Sequence, residues 1–599
     1  MHRGSGPSSC PDCSTLCPSG RNLTDHIMAK NDAPEDHASL PEHPYDPFLR
    51  IVGVSLGRPG TAGEPCPWGL AFHVVFPYSP RQRRVVRAEI QSKDTGQIVV
   101  RLPDEVYPQG PCVSHIDLYD SRVMVDNEYS SVFDVHTLPH GIYTAKAELI
   151  DENDEVCQRD ELDFEVANMP ILAHRIELDW DAWKLPPEKA RHLSGEAHVG
   201  DVDGDGVAEY IHTIGGRHLS VYRGDGEQLW RYDDPDGIRC NESGICAWDF
   251  NGDGRAEILT VRGSHPHLRL CILEGATGRT LHEIEYPVAN GLEPIVTDEK
   301  GRRPGMRETG TTLLVVEGEP VLYGGNAWPA DFRGLGVPKD ILLQVGAANN
   351  VTHVAFTDEL EVLWSNRWDD FTAGHEPAIC DVDGDGRDEV AVGTSLLDHD
   401  GTLLWRHPMA TFAGPWEDDH VDVSSAADIN EDGRVEIAYC FRMVVDGLTG
   451  ERLWHDPTWH GQDVHIGKFR EDVPGLQLLF GDREYRATKH FIHGELADLR
   501  DAEGNKLWER RFMSMHGPQT INWLPNDLSQ ITVSPDLQRN APNPNLQIFD
   551  GHGMLVDVLP SLSPFDEMRT RKTVPRGFQV LHPYLVVPHG EILVFQCGR

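Results

Sequence analysis

Positive charge is what this chain has least of. Its 599 residues carry 53 Lys and Arg against 96 Asp and Glu, a formal net charge of −43. Nucleic-acid binding needs basic surface to replace phosphate counterions, so this balance argues against a nucleic-acid partner. Long apolar runs are also missing: nothing approaches the roughly 18 apolar residues of a membrane span, and no membrane partner is expected. Cysteine is sparse, with 12 residues scattered along the chain. Cys10, Cys13 and Cys17 lie close together without a clear fourth zinc ligand, while Cys271, Cys380 and Cys440 sit beside strand-like runs and read as buried free thiols. The start, Met1-His-Arg-Gly-Ser-Gly-Pro, lacks the apolar run of a secretory signal, which points to the cytoplasm.

What the chain has instead is an acidic nonapeptide, present four times. The copies begin at Asp201, Asp249, Asp381 and Asp428 and end at Glu209, Glu257, Glu389 and Glu436. Oxygen-bearing side chains recur at positions 1, 3, 5 and 9, and Gly stands at position 6. The sets are Asp201, Asp203, Asp205, Glu209; Asp249, Asn251, Asp253, Glu257; Asp381, Asp383, Asp385, Glu389; and Asp428, Asn430, Asp432, Glu436. Hard cations such as Ca²⁺ take six to eight oxygen ligands in a tight loop with Gly at the sharp turn. An EF-hand closes with Glu at position 12 between helices; here Glu closes at 9 and a strand-like run follows. The pattern predicts calcium held in strand–loop–strand turns. Metal-free acidic surface turns are the plainer alternative, and four copies with Glu always at 9 favour calcium. Calcium loops suit an extracellular or periplasmic setting, in conflict with the cytoplasmic expectation.

The expected fold is all-β. Residues 1–49 read as a disordered tail rich in Pro, Asp, His and Ser. Residues 50–168 alternate as strands separated by Gly, Pro and Asp turns, predicting an immunoglobulin- or fibronectin-like β-sandwich, read as a spacer ahead of the alternative of a carbohydrate- or partner-contacting module. From 170 to 599 a second signature recurs, a Gly- or Asp-rich turn running into Leu-Trp at Trp230, Trp364, Trp405, Trp454 and Trp508, with degenerate members at Leu281 and Val556. A period of roughly 40–50 residues predicts a β-propeller of four-stranded blades. Its count is eight with a degenerate blade around Thr312-Leu-Leu-Val-Val and Val321-Leu-Tyr, or seven without it. The Trp residues read as core between wedge-shaped sheets. Strands near Arg175-Ile-Glu-Leu and Ile592-Leu-Val-Phe are expected to close the ring.

The strand before each loop is expected to line the channel, so the residues just ahead of the loops are the candidate site. They include His198, His353, His375, His420, Asp422, His460, Asp463, His465 and His516. A wet, polar channel explains any one of them; the whole set favours a binding or catalytic site. The densest stretch is Trp459-His-Gly-Gln-Asp-Val-His-Ile-Gly467, followed by a basic patch holding Arg483, Tyr485, Arg486, Lys489 and His490. In so acidic a chain an anionic polymer needs such a patch to approach.

The acidic loops resemble the calcium repeats of integrin-type (FG-GAP) propellers. His460-Gly-Gln-Asp-Val-His-Ile-Gly with Pro474-Gly-Leu-Gln-Leu-Leu is similar to a stretch of the propeller-type rhamnogalacturonan lyases. Gln462 is inserted relative to that family's pattern, the front domain differs, and residues 287–345 find no counterpart. The resemblance implies calcium-assisted β-elimination of a uronic-acid polysaccharide. His460 or His465 would be the base, Asp463 an orienting group or calcium ligand, Arg483 the carboxylate clamp and Tyr485 the proton donor, with His375, His420 and His516 next in line. The alternative is a non-catalytic, calcium-stabilised propeller that binds glycan or protein.

Overall fold

Strand after strand, the chain alternates apolar and polar residues or runs continuously apolar, and its described residues fold as β structure. A computed structural model describes residues 48–599 apart from 58, 78–82, 108–113, 119–120, 179–195, 241–245, 265, 288–294, 297–312, 317–318, 323–324, 346–347, 350, 368–371, 409–420, 458–460, 483–494, 513–517, 534–544, 561–583 and 588–590. A single 3-10 turn, Val135–Thr137, is the sole helical element among the described residues.

Seven antiparallel up-and-down units of four strands follow one another. Sheet I comprises Glu196–Gly200, Glu209–Ile214, His218–Tyr222 and Gln228–Asp233. Sheets II to VII repeat it at 246–285, 325–367, 378–406, 424–455, 461–512 and 519–560. The second strand is the most buried: every residue of Glu209–Ile214, Asp340–Val345 and Gln477–Asp482 is buried. The fourth strand faces solvent in sheets IV and V, where Leu403, Leu404 and Leu453 are exposed on it, whereas in sheet VII every residue of Leu555–Pro560 is buried. First strands of neighbouring sheets touch, I on II, II on III, IV on V, V on VI and VI on VII. Apolar side chains fill each gap, such as Ile211 and Val221 against Ile258 and Leu273 between I and II, and Leu342 and Ala355 against Val390 and Leu397 between III and IV.

The strand that opens the repeated region pairs with the last strand of the chain. Ile171–Glu177 pairs antiparallel with Glu591–Gln596, with Arg175 opposite Leu593, as expected from sequence. Alternate residues of the last strand face opposite sides. Ile592 and Val594 pack with Tyr210 and Tyr222 of sheet I, while Leu593 and Phe595 pack with Ile548 and Val556 of sheet VII.

Two sheets precede this array. Phe48–Ser55, Trp68–Pro77, Ser121–Tyr129 and Ser114–Leu118 form one; Ile98–Arg101, Arg84–Ser92, Gly141–Ile150 and Val156–Val166 form the other. The second is continuous with sheet VII through a parallel bridge between Phe164 and Leu555. Trp68 and Phe164 share one core with Leu479, Phe512 and Phe549. Tyr143 donates its hydroxyl to the Pro139 carbonyl (2.9 Å) and stacks on Phe164.

Two expectations need correction. The strands of the alternative degenerate blade, at 313–316 and 319–322, lie in a four-stranded sheet that is mixed and not antiparallel up-and-down. Leu313–Val316 and Glu319–Leu322 join a separate mixed sheet with Arg239–Cys240 and Ile295–Val296, which pair parallel to them. The long interval before Trp364 holds this extra sheet and the whole of sheet III. The recurring Trp residues are also less buried than a core reading implies. Trp364 is 9% exposed and Trp230, Trp405, Trp454 and Trp508 are half-buried, because they lie on the outermost strand. Each reaches the next sheet. The indole N–H groups of Trp230, Trp364, Trp405 and Trp454 donate to the carbonyls of Gly275, His399, Gly447 and Ala502 at 2.6–2.9 Å. The ring lies against a turn glycine at positive φ, where Gly401 has φ +82° and an added Cβ would meet Trp364 at 2.9 Å.

Candidate functional site

The acidic loops join the first strand of a sheet to the second, and their backbone is shaped by their own carboxylates. Asp201 Oδ1 accepts from the Gly204 N–H (2.7 Å) and Oδ2 from the Gly206 N–H (2.9 Å). Asp381 does the same with Gly384 and Gly386 at 2.7 and 3.0 Å. Positions 4 and 6 both need positive φ: Gly204 and Gly206 lie at +79° and +83°, Gly384 and Gly386 at +80° and +87°. Position 4 was passed over in the sequence because the last loop has Glu431 there, held at φ +64°. The closing Glu is buried and accepts from the backbone at positions 2 and 3: Glu389 Oε2 from Val382 (2.7 Å) and Asp383 (3.2 Å), Glu257 Oε2 from Phe250 (3.0 Å) and Asn251 (3.2 Å).

These loops fit a cation. Ligand atoms of Asp201, Asp203 and Glu209, and separately of Asp381, Asp383 and Asp385, lie within 4.8 Å of one another. Glu389 Oε1 is buried with no hydrogen-bond partner. Burial, with the neighbouring Asp charges, pushes Glu209, Glu257 and Glu389 up to about 7, and burial raises Glu436 too. In the two loops with Asn at position 3, the amide stands among the acids: Asn251 Nδ2 donates to Glu257 Oε1 (2.6 Å) and Asn430 Nδ2 to Glu436 Oε1 (3.3 Å). Oxygen-only donor sets of this kind suit hard divalent ions.

Sheets III, VI and VII carry the same loop with other contents. At Asp331–Asp340 the position-1 pattern recurs, Asp331 Oδ2 accepting from the Gly336 N–H at 2.6 Å. Here the cation is built in: Arg333 Nε meets the fully buried Asp340 at 2.7 Å and its Nη2 meets Asp358 at 2.6 Å. At Lys468–Gln477 the ammonium donates to the Val473 and Gly475 carbonyls, both at 2.7 Å, and Gln477 Oε1 accepts from Phe469 (2.8 Å) and Arg470 (2.9 Å). At Asn522–Gln530, Gln530 Oε1 accepts from Trp523 (2.6 Å) and Leu524 (2.9 Å), while its Nε2 donates to the Leu528 carbonyl (2.8 Å). Sequence reasoning missed the first and last of these. The available signal was an acid or amide at position 9 or 10 running into an apolar strand.

The other candidates lie at the opposite ends of the first strands. His375 precedes the first strand of sheet IV, and its Nε2 is 3.7 Å from Oδ1 of Asp422, which precedes that of sheet V. The two approaches are zipped together: His375 and Glu376 donate their N–H groups to the Val421 and Asp422 carbonyls at 3.1 and 3.0 Å. Asp463 and His465 lie on Gly461–Gly467, the first strand of sheet VI, linked to sheet V by the Ser425 hydroxyl donating to the Val464 carbonyl (3.1 Å). Val464 is fully buried, Asp463 half-buried, and His465 only 3% exposed. Gln462 is absorbed as a β-bulge: Gly461 opposes Asp482 and Asp463 opposes Gly481. Beside it lies a buried ion network that the sequence did not reveal. Arg442, at φ +56°, reaches Asp482 (3.3 Å) and Asp498 (3.2 Å), and Arg500 joins Asp498 (2.8 Å) to Asp456 (2.5 Å).

His353 is not a channel residue. It lies on the third strand of sheet III, fully buried, bonded to Gln344 (2.9 Å) and pushed down to about 3 by burial. It was misplaced because the loop at 331–340 went unrecognised. His420, His460, Arg483, Tyr485 and His516 lie outside the described residues. Among the described cysteines, all are free; Cys271 and Cys440 are buried and Cys380 half-buried.

No family model matches the chain. Two curated relatives are similar in sequence. Rhamnogalacturonan endolyase YesW of Bacillus subtilis (strain 168) is 25% identical over 340 residues, covering 49% of this chain and 52% of YesW. Rhamnogalacturonan exolyase YesX of the same strain is 26% identical over 315 residues, covering 44% of this chain and 48% of YesX. The chain thus spans about half the length of the curated relatives it matches. Among solved structures, exotype rhamnogalacturonan lyase YesX aligns over 89% of this chain and 88% of that chain, with a TM-score of 0.48 and 15% identity. The distant resemblance to rhamnogalacturonan lyases read from the His-Gly-Gln-Asp-Val-His stretch is supported at this low identity.

Proposed function

We propose that the protein is a polysaccharide lyase-like protein acting on a uronic-acid-containing, rhamnogalacturonan-like polysaccharide. The observation that carries this reading is the 25% identity over 340 residues to a rhamnogalacturonan endolyase. In this reading residues 1–49 are a tail, 50–168 a β-sandwich spacer and 170–599 a β-propeller. Its eight blades are sheets I to VII and the sheet formed by the two chain ends.

The reaction is β-elimination: a base takes the C5 proton of a uronate, the C4–O bond breaks, and the leaving oxygen is protonated. That base must stand within hydrogen-bond reach of C5 and be oriented. His375, partly exposed with the Asp422 carboxylate behind it, suits this better than His465, which is buried and acts by holding its strand. Asp463 orients the sugar at the bulge. His460, Arg483, Tyr485, His420 and His516 keep the roles that the resemblance implies.

Calcium bound by the four acidic loops supplies positive charge that draws their carboxylates together. The loops stand at the far ends of the first strands from His375 and Asp463. Extended chain rises about 3.3 Å per residue, so Asp381 is up to roughly 20 Å from His375. These ions therefore hold the fold, and neutralising the substrate carboxylate falls to the basic patch around Arg483.

The test is the ultraviolet absorbance of an unsaturated uronate, followed on rhamnogalacturonan and a panel of other uronate polymers. Product should form, and His375→Ala should abolish it while leaving the melting temperature unchanged. Absence of product from every polymer, with the protein folded and calcium-loaded, would exclude the lyase reading. The burial of His465 favours a second reading, a non-catalytic propeller that binds glycan or protein. Glycan binding without product, unchanged by His375→Ala, would select it.

A further inference from the structure

We propose that the loop of sheet IV is a mixed nitrogen–oxygen metal site with His399 as a ligand. It would take a divalent transition ion of the Zn²⁺ class, where the other acidic loops take only calcium. The inference rests on the reading of the acidic loops as cation sites and adds to it a ligand and an ion class.

Three side chains converge there. Ligand atoms of Asp385, Glu389 and His399 all lie within 4.8 Å of one another. Donors around one ion, each bonded at about 2.0–2.4 Å, have this spacing. The remaining such groups among the described residues contain carboxylates alone. His399 comes from the turn between the third and fourth strands of sheet IV, which faces the acidic loop. In sheet I the equivalent turn brings a cation instead, Arg223 Nη2 meeting Asp203 at 2.7 Å.

The buried member of the group points to a ligand independently. Glu389 is 1% exposed, its Oε2 is engaged by two backbone N–H groups, and its Oε1 is buried with no hydrogen-bond partner. A buried carboxylate oxygen left so is costly unless a cation or donor meets it.

The imidazole is in the form a metal requires. Arg387 Nη1 stands 2.8 Å from His399 Nε2. A guanidinium can only donate, so Nε2 presents its lone pair. Asp398 Oδ1 lies 2.6 Å from Nδ1. Nδ1 has no hydrogen-bond partner, so this carboxylate acts on the ring through its charge. Arg387 is exposed, and an ion taking the lone pair would displace its guanidinium from Nε2. Imidazole shifts the preference of an oxygen site from calcium toward zinc and its neighbours.

The experiment is equilibrium dialysis of the full calcium-loaded chain against dilute Zn²⁺, with both metals measured by elemental analysis. Wild type should exchange one calcium for one zinc. His399→Ala should lose that zinc equivalent and keep its calcium, and Asp398→Asn should weaken zinc uptake several-fold. His399→Ala is expected to fold, because Trp364 bonds the His399 backbone carbonyl and not its side chain. Zinc uptake that His399→Ala leaves unchanged would overturn the inference. So would absence of zinc uptake by a protein that holds calcium, which leaves the acidic-loop reading standing. A folded protein that binds neither metal would overturn both.

Discussion

The loops of sheets IV and III share a backbone and differ in what fills them. In both, the first Asp bonds the N–H groups that follow, and a buried acid at the loop's end accepts from the start of the loop. In sheet IV carboxylates crowd the interior without a protein cation between them. In sheet III Arg333 lies among the acids and bonds two of them. The Lys468 ammonium and the Gln530 amide fill the loops of sheets VI and VII by donating to backbone carbonyls. The loop shape is therefore a property of its backbone hydrogen bonds, and its centre can be occupied by a metal ion, a side-chain cation or an amide. The four acidic loops keep carboxylates at their centres, with Arg223 reaching Asp203 at the edge of the loop of sheet I.

The largest expected effect separates the two classes by chelation. Metal held only by the folded state stabilises by mass action, about 2.7 kcal/mol per site when free ion is 100-fold above Kd. Excess chelator should lower the melting temperature by many degrees, and calcorimetry-grade calcium should restore it. A melt indifferent to chelator would break the comparison. Next comes Arg333→Ala, which strands the buried Asp340. Losing one partner of a buried pair costs about 3–5 kcal/mol, and the lower end applies because Arg333 is a third exposed. Urea unfolding should show the loss with calcium present; an effect below the error of the fit would show that Arg333 does not fill its loop.

A third prediction concerns pH. Glu209, Glu257 and Glu389 rise from the ordinary 4.5 to about 7 in the metal-free fold. A carboxyl raised on folding binds its proton more tightly in the native state. The stability these three carboxyls contribute to the metal-free protein should thus be full below about pH 4.5 and be lost as pH rises through about 7. Calcium affinity should climb over the same window, since the ion needs the deprotonated form. Melting curves from pH 4 to 8, with and without calcium, check both trends; parallel curves would contradict them. The smallest effect is Glu431→Gly. At φ +64° glycine carries no Cβ penalty, so the change should stabilise the sheet V loop by about 1 kcal/mol.

These loops also show what was legible in the sequence. Oxygen side chains at fixed spacing announce themselves, so the four acidic copies were found. The loops of sheets III and VII were not, because what they conserve is backbone N–H groups pointing at one buried acceptor, and Arg, Pro and Leu stand where the acids were sought. That gap misassigned His353. Strand periodicity gave the array of sheets, and alternation gave Asp463 and His465 on one strand. The pairing of His375 with Asp422 was hidden because it depends on two separate approaches meeting between sheets. Trp spacing signalled packing, but not that four of the five indoles would bond the next sheet. The bridge from Phe164 to Leu555 has no local signature at all.

The central claim is that four loops take an ion and three fill themselves. Calcium content per folded chain, measured by elemental analysis after dialysis at micromolar free calcium, tests it most directly. The account predicts four equivalents in the wild type. It predicts one fewer for each of Asp201→Ala, Asp249→Ala, Asp381→Ala and Asp428→Ala, and no change for Arg333→Ala or Lys468→Met. A folded protein that retains no calcium, or one whose calcium count falls with Arg333 or Lys468, would contradict it.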